Sequence, residues 1–342
     1  MKKFILSIFI LFLISSCTKE DVYEPFIFDN PEIEVNIPIN FPELNNSFYT
    51  NKPTKYGVEL GKKLFFDKKL SANNTISCAS CHIQANAFTD NTAQAIGIYG
   101  RAGFRNTPPV QNMAFMQFYN WDGNKQALES QPLVPIITHE EMDSSIIEVI
   151  GKLEIEEDYI NLFYNAFGDG RITGDRIYKS IAQYEYTLIS ANSKYDKVKR
   201  NQGEAFTEKE EKGYQTFQQK CASCHSTELF TDQSFRNIGF PVNPDNEEAG
   251  RARVTFNSDD FMRFRVPSLR NIVYTAPYGS FGQFAGLKEV LDYLDNGVLN
   301  ADNLDPILKD NGNRIPLTED EKNNLISFLK TLSDVDFVST TE

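Results

Sequence analysis

Four of the five cysteines in this 342-residue chain stand in two copies of one pattern, Cys78-Ala79-Ser80-Cys81-His82 and Cys221-Ala222-Ser223-Cys224-His225. Two thiols at this spacing, with an imidazole directly after the second, suit covalent haem attachment. The sulfurs add across the porphyrin vinyl groups as thioethers, and the histidine lies beneath the iron as an axial ligand. Two C-x-x-C pairs could instead hold zinc, and an exported chain could use them as disulfides. Neither alternative explains why histidine follows the second cysteine both times. Two c-type haems account for Cys78, Cys81, Cys221 and Cys224, with His82 and His225 as proximal ligands.

Cys17 closes a different kind of segment. The chain opens MKKFILSIFILFLISSC: Lys2 and Lys3, then an apolar run from Phe4 to Ile14 interrupted at Ser7. That run is shorter than the ~20 residues that span a bilayer, so a signal peptide is favoured over a membrane helix. Ile14-Ser15-Ser16-Cys17 resembles the lipobox of bacterial lipoproteins. This implies cleavage before Cys17 and acyl chains on its sulfur, which would hold the protein at a membrane through CH₂ groups contributing ~0.8 kcal/mol each. A plain secretory signal with a stray cysteine is the alternative. Thr18-Lys19-Glu20-Asp21 resembles the export tag of some surface lipoproteins. The expected location is the cell envelope, on the periplasmic side of a membrane or at the cell surface, where bacteria attach c-type haem. Residues 18–52 hold Pro, Asn and acidic residues without a sustained period and read as a tether.

The formal net charge of −13 argues against nucleic acid as a partner, since phosphate binding needs a basic surface. With 41% apolar and 24% charged residues, the chain has the makings of a packed core, and its length suits two domains. The elements that must position the two motifs are helical. Thr207-Glu208-Lys209-Glu210 is a capping box, and the helix it starts carries Tyr214 and Phe217 to the second motif. A second box, Thr318 to Glu321, opens a helix with Leu325, Ile326, Leu329 and Leu332 on one face. Residues 174–191 carry a helical stripe of Ile177, Ile181, Tyr184 and Leu188. Strand signals are few. The predicted fold is mostly α, two cytochrome c-like haem domains packed together. Its expected divisions are a signal peptide (1–16), a lipid-anchored tether (17–52), an N-terminal domain (53–200) and a C-terminal domain (201–342).

Further blocks carry a resemblance. They are Leu60-Gly61-Lys62-Lys63-Leu64-Phe65 with Asp67 and Leu70-Ser71, Ala87-Phe88-Thr89-Asp90, Arg105-Asn106-Thr107-Pro108, Trp121-Asp122-Gly123, Gln131, Glu141-Met142, Val266-Pro267-Ser268-Leu269-Arg270-Asn271 and Thr275-Ala276-Pro277-Tyr278. From about Gly57 to Leu332 the chain resembles the bacterial dihaem cytochrome c peroxidases, the family that also contains the MauG-type enzymes. The resemblance implies that hydrogen peroxide is split at the N-terminal haem. Glu141 would be the distal acid/base and Gln131 a distal amide, with Trp121 as the electron path between the haems. It also implies an interdomain calcium ion on the Asn106 side chain and the Thr275 and Pro277 carbonyls, oxygen ligands of the kind Ca²⁺ prefers. Electrons would come from a small donor protein of cytochrome c or cupredoxin type, and family members are often dimers. A MauG-like oxidase acting on a protein or other reductant, and a non-catalytic dihaem electron carrier, are the competing functions.

The chain also departs from the family. No histidine lies between His82 and His139, so the loop histidine that closes the resting peroxidatic haem is missing, and an iron open without reductive activation is expected. His139, two residues before Glu141, is expected to line the distal pocket rather than to bind iron. Seventeen residues on from Pro277, where the family places the distal ligand of the second haem, stands Leu294. Tyr293 is its neighbour, and Met262 does not match. That haem is expected to be five-coordinate, ligated by Tyr293, or ligated by water or an outside group, at a lower potential than methionine would give. Gly279-Ser280-Phe281-Gly282 replaces the family's inter-haem histidine segment.

Overall fold

Helix signals of the kind read above recur along the chain, and the computed structural model, which describes residues 28–242 and 248–339, turns them into fourteen helices among those residues. They are α1 (Asn46–Thr50), α2 (Lys55–Phe66), α3 (Cys78–Cys81), α4 (Leu133–Ile137), α5 (Ile146–Glu154), α6 (Glu157–Phe167), α7 (Gly174–Thr187), α8 (Lys194–Lys199), α9 (Glu208–Lys220), α10 (Ala252–Thr255), α11 (Leu287–Asn296), α12 (Pro306–Lys309), α13 (Glu319–Lys330) and α14 (Val335–Ser339). One antiparallel pair, β1 (Phe235–Arg236) and β2 (Phe264–Arg265), is the sheet among them. The leader and Cys17 lie outside the described residues.

Both capping boxes form. Thr207 accepts from the Glu210 amide and Thr318 from the Glu321 amide, while each glutamate returns a bond to its cap, satisfying free N–H groups at the helix start. The 174–191 helix ends earlier, at Thr187, with Ile177, Ile181 and Tyr184 buried in the N-terminal core.

Two halves are built on one plan. In the first, α2 crosses α7 at Gly61, where a Cβ would come 1.8 Å from the Ser180 carbonyl oxygen. In the second, α9 crosses α13 at Gly213, 2.0 Å from that of Asn324. Only glycine allows backbones this close. Four residues after each glycine comes a buried phenylalanine, Phe65 or Phe217. The repetition continues in the connecting loops. Asn112 and Asn271 both take the left-handed conformation (φ 57° and 58°), and each opens one 3₁₀ turn. Tyr119 then bridges Lys125 as Tyr278 bridges Phe284.

The halves meet on a buried polar seam. The Asn271 side chain donates to Gln111 Oε1 (2.6 Å) and Ser190 Oγ (2.9 Å) and accepts from the Asp334 amide (2.7 Å). The chain termini of the described region cross over the same boundary. Phe337 of α14 packs on Phe88, and its carbonyl accepts from Gln84 (2.8 Å).

Residues 28–52 are not a free linker. Leu44 and Phe48 are buried in the core around Phe115 and Tyr186, and Asn30 donates to the Ala166 carbonyl (2.8 Å). The polar composition that suggested a tether instead supplies caps and cross-links: Asn45 caps α1 and also donates to Met116 O.

Candidate active site

Each C-x-x-C-H motif sits at the end or within the span of a short helical turn. The first forms α3 itself, and the second follows directly on α9. After each motif the chain folds back through left-handed residues, Ala87 and Phe88 in one case and Phe230 in the other. The reversal places a carbonyl under each imidazole: His82 Nδ1 lies 2.9 Å from Phe88 O, and His225 Nδ1 lies 2.9 Å from Phe230 O. A carbonyl only accepts, so Nδ1 carries the proton in both rings and Nε2 keeps its lone pair. Burial lowers the pKa of both imidazoles, which keeps them neutral. A neutral imidazole with its second nitrogen anchored is the form that ligates iron.

The cysteines fit the same group. All four are unpaired thiols, with Cys81 and Cys221 pushed up to about 12, mainly by burial. Among the described residues no three His, Cys, Asp or Glu side chains are grouped so as to hold a metal ion. Cys221, Cys224 and His225 line a cavity of about 250 Å³. Phe217, Ile272, Leu291 and Leu329 supply apolar walls suited to a flat porphyrin.

Glu141 lies just beyond α4, and Gln131 lies just before it. The turn between is fixed by the bond from the Glu141 amide to Thr138 O (3.0 Å) and that from the Ile98 amide to Glu141 O (2.8 Å). The Glu141 carboxyl makes no hydrogen bond among the described residues. Desolvation, helped by Glu140, raises its pKa to about 7. Its charge acts on both Cys78 and Cys81, so it lies in the neighbourhood of the first motif. Gln131 Nε2 donates to Asn120 Oδ1 (3.3 Å).

Trp121 is 9% exposed and stands in the wall of the second cavity. Its indole N–H donates to Asn106 O (2.8 Å), and its carbonyl accepts from the Arg265 amide (2.8 Å). The loop it opens is clamped from both halves. Arg105 pairs with Asp122 (3.0 Å) and Glu248 (2.7 Å), and Arg251 donates to the Asp122 and Gly123 carbonyls (2.8 and 2.7 Å).

Asn106, Thr275 and Pro277 all line that cavity. The Asn106 amide nitrogen donates to Thr92 O (2.8 Å), leaving Oδ1 without a donor among the described residues. Tyr293 and Leu294 also line the cavity, but the Tyr293 hydroxyl is spent on Ile238 O (2.9 Å). Met262 packs beside Trp121 and Phe264 in a separate cluster.

His139 departs from expectation. Its side chain is 63% exposed, with Nδ1 3.2 Å from Asp143 and 3.1 Å from Arg101. These contacts with Asp143 and Arg101 hold the ring at the surface instead of in the distal pocket.

Two further residues escaped sequence reasoning. Glu185, on α7, is 4% exposed, and burial with nearby Glu129 raises its carboxyl to about 8. Arg265 is 8% exposed and lines the second cavity. It stands one residue before the Val266–Asn271 block, where the motif reading began.

Residues 55–204 match the family described as di-haem cytochrome c peroxidase. The chain is 35% identical over 288 residues to the methylamine utilization protein MauG of Methylorubrum extorquens, covering 82% of this chain and 79% of that protein. It is 35% identical over 280 residues to cytochrome c551 peroxidase of Nitrosomonas europaea, covering 81% and 79% respectively. Among solved structures, a MauG-like protein associated with microbial copper homeostasis superposes with a TM-score of 0.81 at 28% identity, covering 90% of this chain and 97% of that one.

Proposed function

The chain belongs to the dihaem cytochrome c peroxidase family, and from that premise we propose how its residues divide the reduction of hydrogen peroxide. It is a haem-dependent oxidoreductase that acts on peroxide, arranged as two cytochrome c-like haem domains. When bound, the first haem supplies an iron to which peroxide oxygen binds and through which electrons reach it. His82, with Nδ1 anchored on the Phe88 carbonyl, would hold that iron through its free Nε2. Glu141 removes a proton from one oxygen and returns it to the departing oxygen, and Gln131 orients the bound oxygens with its amide. Trp121, in the wall of the second cavity, would lie on the path between the two haems, and His225, anchored through Nδ1, would hold the second iron, with a small donor protein as the source of electrons.

The observation that carries this reading is the Glu141 carboxyl. It makes no hydrogen bond among the described residues, is raised to about 7 by burial, and lies near enough to the first attachment motif for its charge to act on Cys78 and Cys81. A group titrating near neutrality serves both as base and as acid. Glu141→Gln, with haem content unchanged, is expected to lose at least ~10²-fold in peroxide turnover with a reduced donor. An unchanged rate rejects the role.

A second reading, a MauG-like oxidase, is favoured by one observation: no methionine is among the residues lining the second cavity. Loss of that ligand lowers the potential expected of the second haem. Peroxide turnover with a reduced cytochrome separates the two readings.

The envelope assignment rests on Cys17 as a lipidated residue, and the calcium assignment on the free Asn106 Oδ1 beside Thr275 and Pro277. No helix among the described residues is long and apolar enough to cross a membrane. Intact mass and metal content of the detergent-extracted protein check both assignments. An unmodified Cys17 removes the anchor, and a calcium-free preparation with full activity removes the ion. A homodimer is the expected assembly, checked by sedimentation of the same preparation.

A further inference from the structure

Three basic side chains line the second cavity: Lys220, Arg236 and Arg265. Two are neutralised by carboxylates. Lys220 pairs with Glu321 (2.7 Å), and Arg236 pairs with Asp232 (2.7 Å) and Asp305 (2.8 Å). Among the described residues Arg265 has no acidic partner. Its Nε donates to the Asn120 carbonyl at 3.3 Å, and its Nη1 is buried without any hydrogen-bond partner. Nη2 also has none among the described residues. A guanidinium more than nine-tenths buried with an idle fork is costly, because a buried cation is stable only when paired and hydrogen-bonded. Its surroundings pull its pKa down to about 10. The fork geometry suits a carboxylate held by two parallel bonds.

We propose that Arg265 anchors the second haem by binding a porphyrin propionate. The cavity's own occupant supplies the missing anion, since a porphyrin carries two such carboxylates. The same residue donates its backbone N–H to the Trp121 carbonyl (2.8 Å). Arg265 thereby registers the porphyrin edge against the aromatic bridge: the side chain holds one and the main chain holds the other. It is a positioning residue, and its charge also disfavours the oxidised, more positive iron, raising the potential of that haem.

This inference rests on the reading that the cavity holds a covalent haem. That reading is checked first, by counting two haems per chain from the mass and the pyridine haemochrome of the holoprotein. Fewer than two removes the reading; two haems leave the anchor to be tested alone. Arg265→Gln is then expected to shift the second haem's ferric-to-ferrous ratio about tenfold toward ferric at fixed potential, about 59 mV for a one-electron couple. The first haem should shift less, and Arg265→Lys should restore most of the change. An unmoved second potential, an equal shift of both haems, or no rescue by lysine overturns the proposal. Wild-type protein provides a test independent of folding in the variants. The propionate bending band in resonance Raman spectra of the second haem should not move between pH 5 and pH 9. A band that titrates there like a free carboxyl overturns the anchor as well.

Discussion

The two haem-attachment regions share a scaffold and differ in charge. Both hold an imidazole on a phenylalanine carbonyl at 2.9 Å, and both cross two helices at a glycine. Around this common frame the buried ionisable groups that lack an ion-pair partner among the described residues differ. The first region has Glu141 and Glu185, carboxyls raised to about 7 and about 8 and therefore largely neutral when enclosed. The second has Arg265, a cation without an acidic partner. Carboxyls near neutrality suit proton transfer. A fixed positive charge suits holding and tuning a redox group. The difference teaches that one fold has been set to two tasks by few side chains.

Register between the halves shows where the divergence lies. Asn112 matches Asn271, 159 positions on; at the same offset Gln131 matches Val290 and Trp121 matches Ser280. The amide and the indole assigned to chemistry thus have no counterpart in the second half. The largest expected effect follows at Glu141. The rate of the parent, as kcat/KM against pH, should fall as pH drops below about 7, where protonation removes the base. Glu141→Gln should lose both the inflection and ~10²–10⁴-fold in rate. A variant that kept the inflection would move the acid/base role to another group, with Glu185 the next to examine.

Much of this comparison was legible in the sequence. The doubled C-x-x-C-H motif carries its chemistry in residue type and spacing, and the capping boxes at Thr207 and Thr318 are local devices that formed as expected. Glu141, Gln131 and Trp121 are proposed through block resemblance alone, since their surroundings are set by the tertiary fold. His139 was misplaced because proximity in sequence to Glu141 does not fix facing, and the Arg101–Asp143 pairing that exposes it is long-range. The segment 28–52 was misread because its few apolar anchors, Leu44 and Phe48, are too sparse to show a period. Arg265 carries no motif; only the absence of a partner in three dimensions marks it.

If the scaffold is truly shared, damage to it should be symmetric where damage to the chemistry is not. Gly61→Ala and Gly213→Ala each force a methyl into a carbonyl, at 1.8 and 2.0 Å. Each should destabilise by about 1–3 kcal/mol or more, as overpacking does. Denaturant unfolding of the holoprotein measures both. A tolerated Gly213→Ala beside a damaging Gly61→Ala would show that the second crossing is looser than the first.

The last contrast lies on the crossing helices. Ser180 meets Gly61 as Asn324 meets Gly213, and five residues further on stand Glu185 in α7 and Leu329 in α13. Leu329 lines the second cavity, so Glu185 occupies a position that an apolar residue fills in the other half. Its charge also acts on Cys78. Burial raises the folded pKa to about 8 from an ordinary value of 4.5. Between these values the folded chain keeps a proton that the unfolded chain has lost. The sign follows: stability from this group is fully present below about 4.5 and declines as pH rises toward about 8. Glu185→Leu, which copies the other half, should remove that slope. It is expected to unfold like the parent near pH 4.5 and to be more stable at pH 8 by about 4 kcal/mol, the linkage value of such a shift. Equal stability of parent and variant at pH 8 would mean that Glu185 ionises freely inside the fold, and that the first region is wetter than its twin.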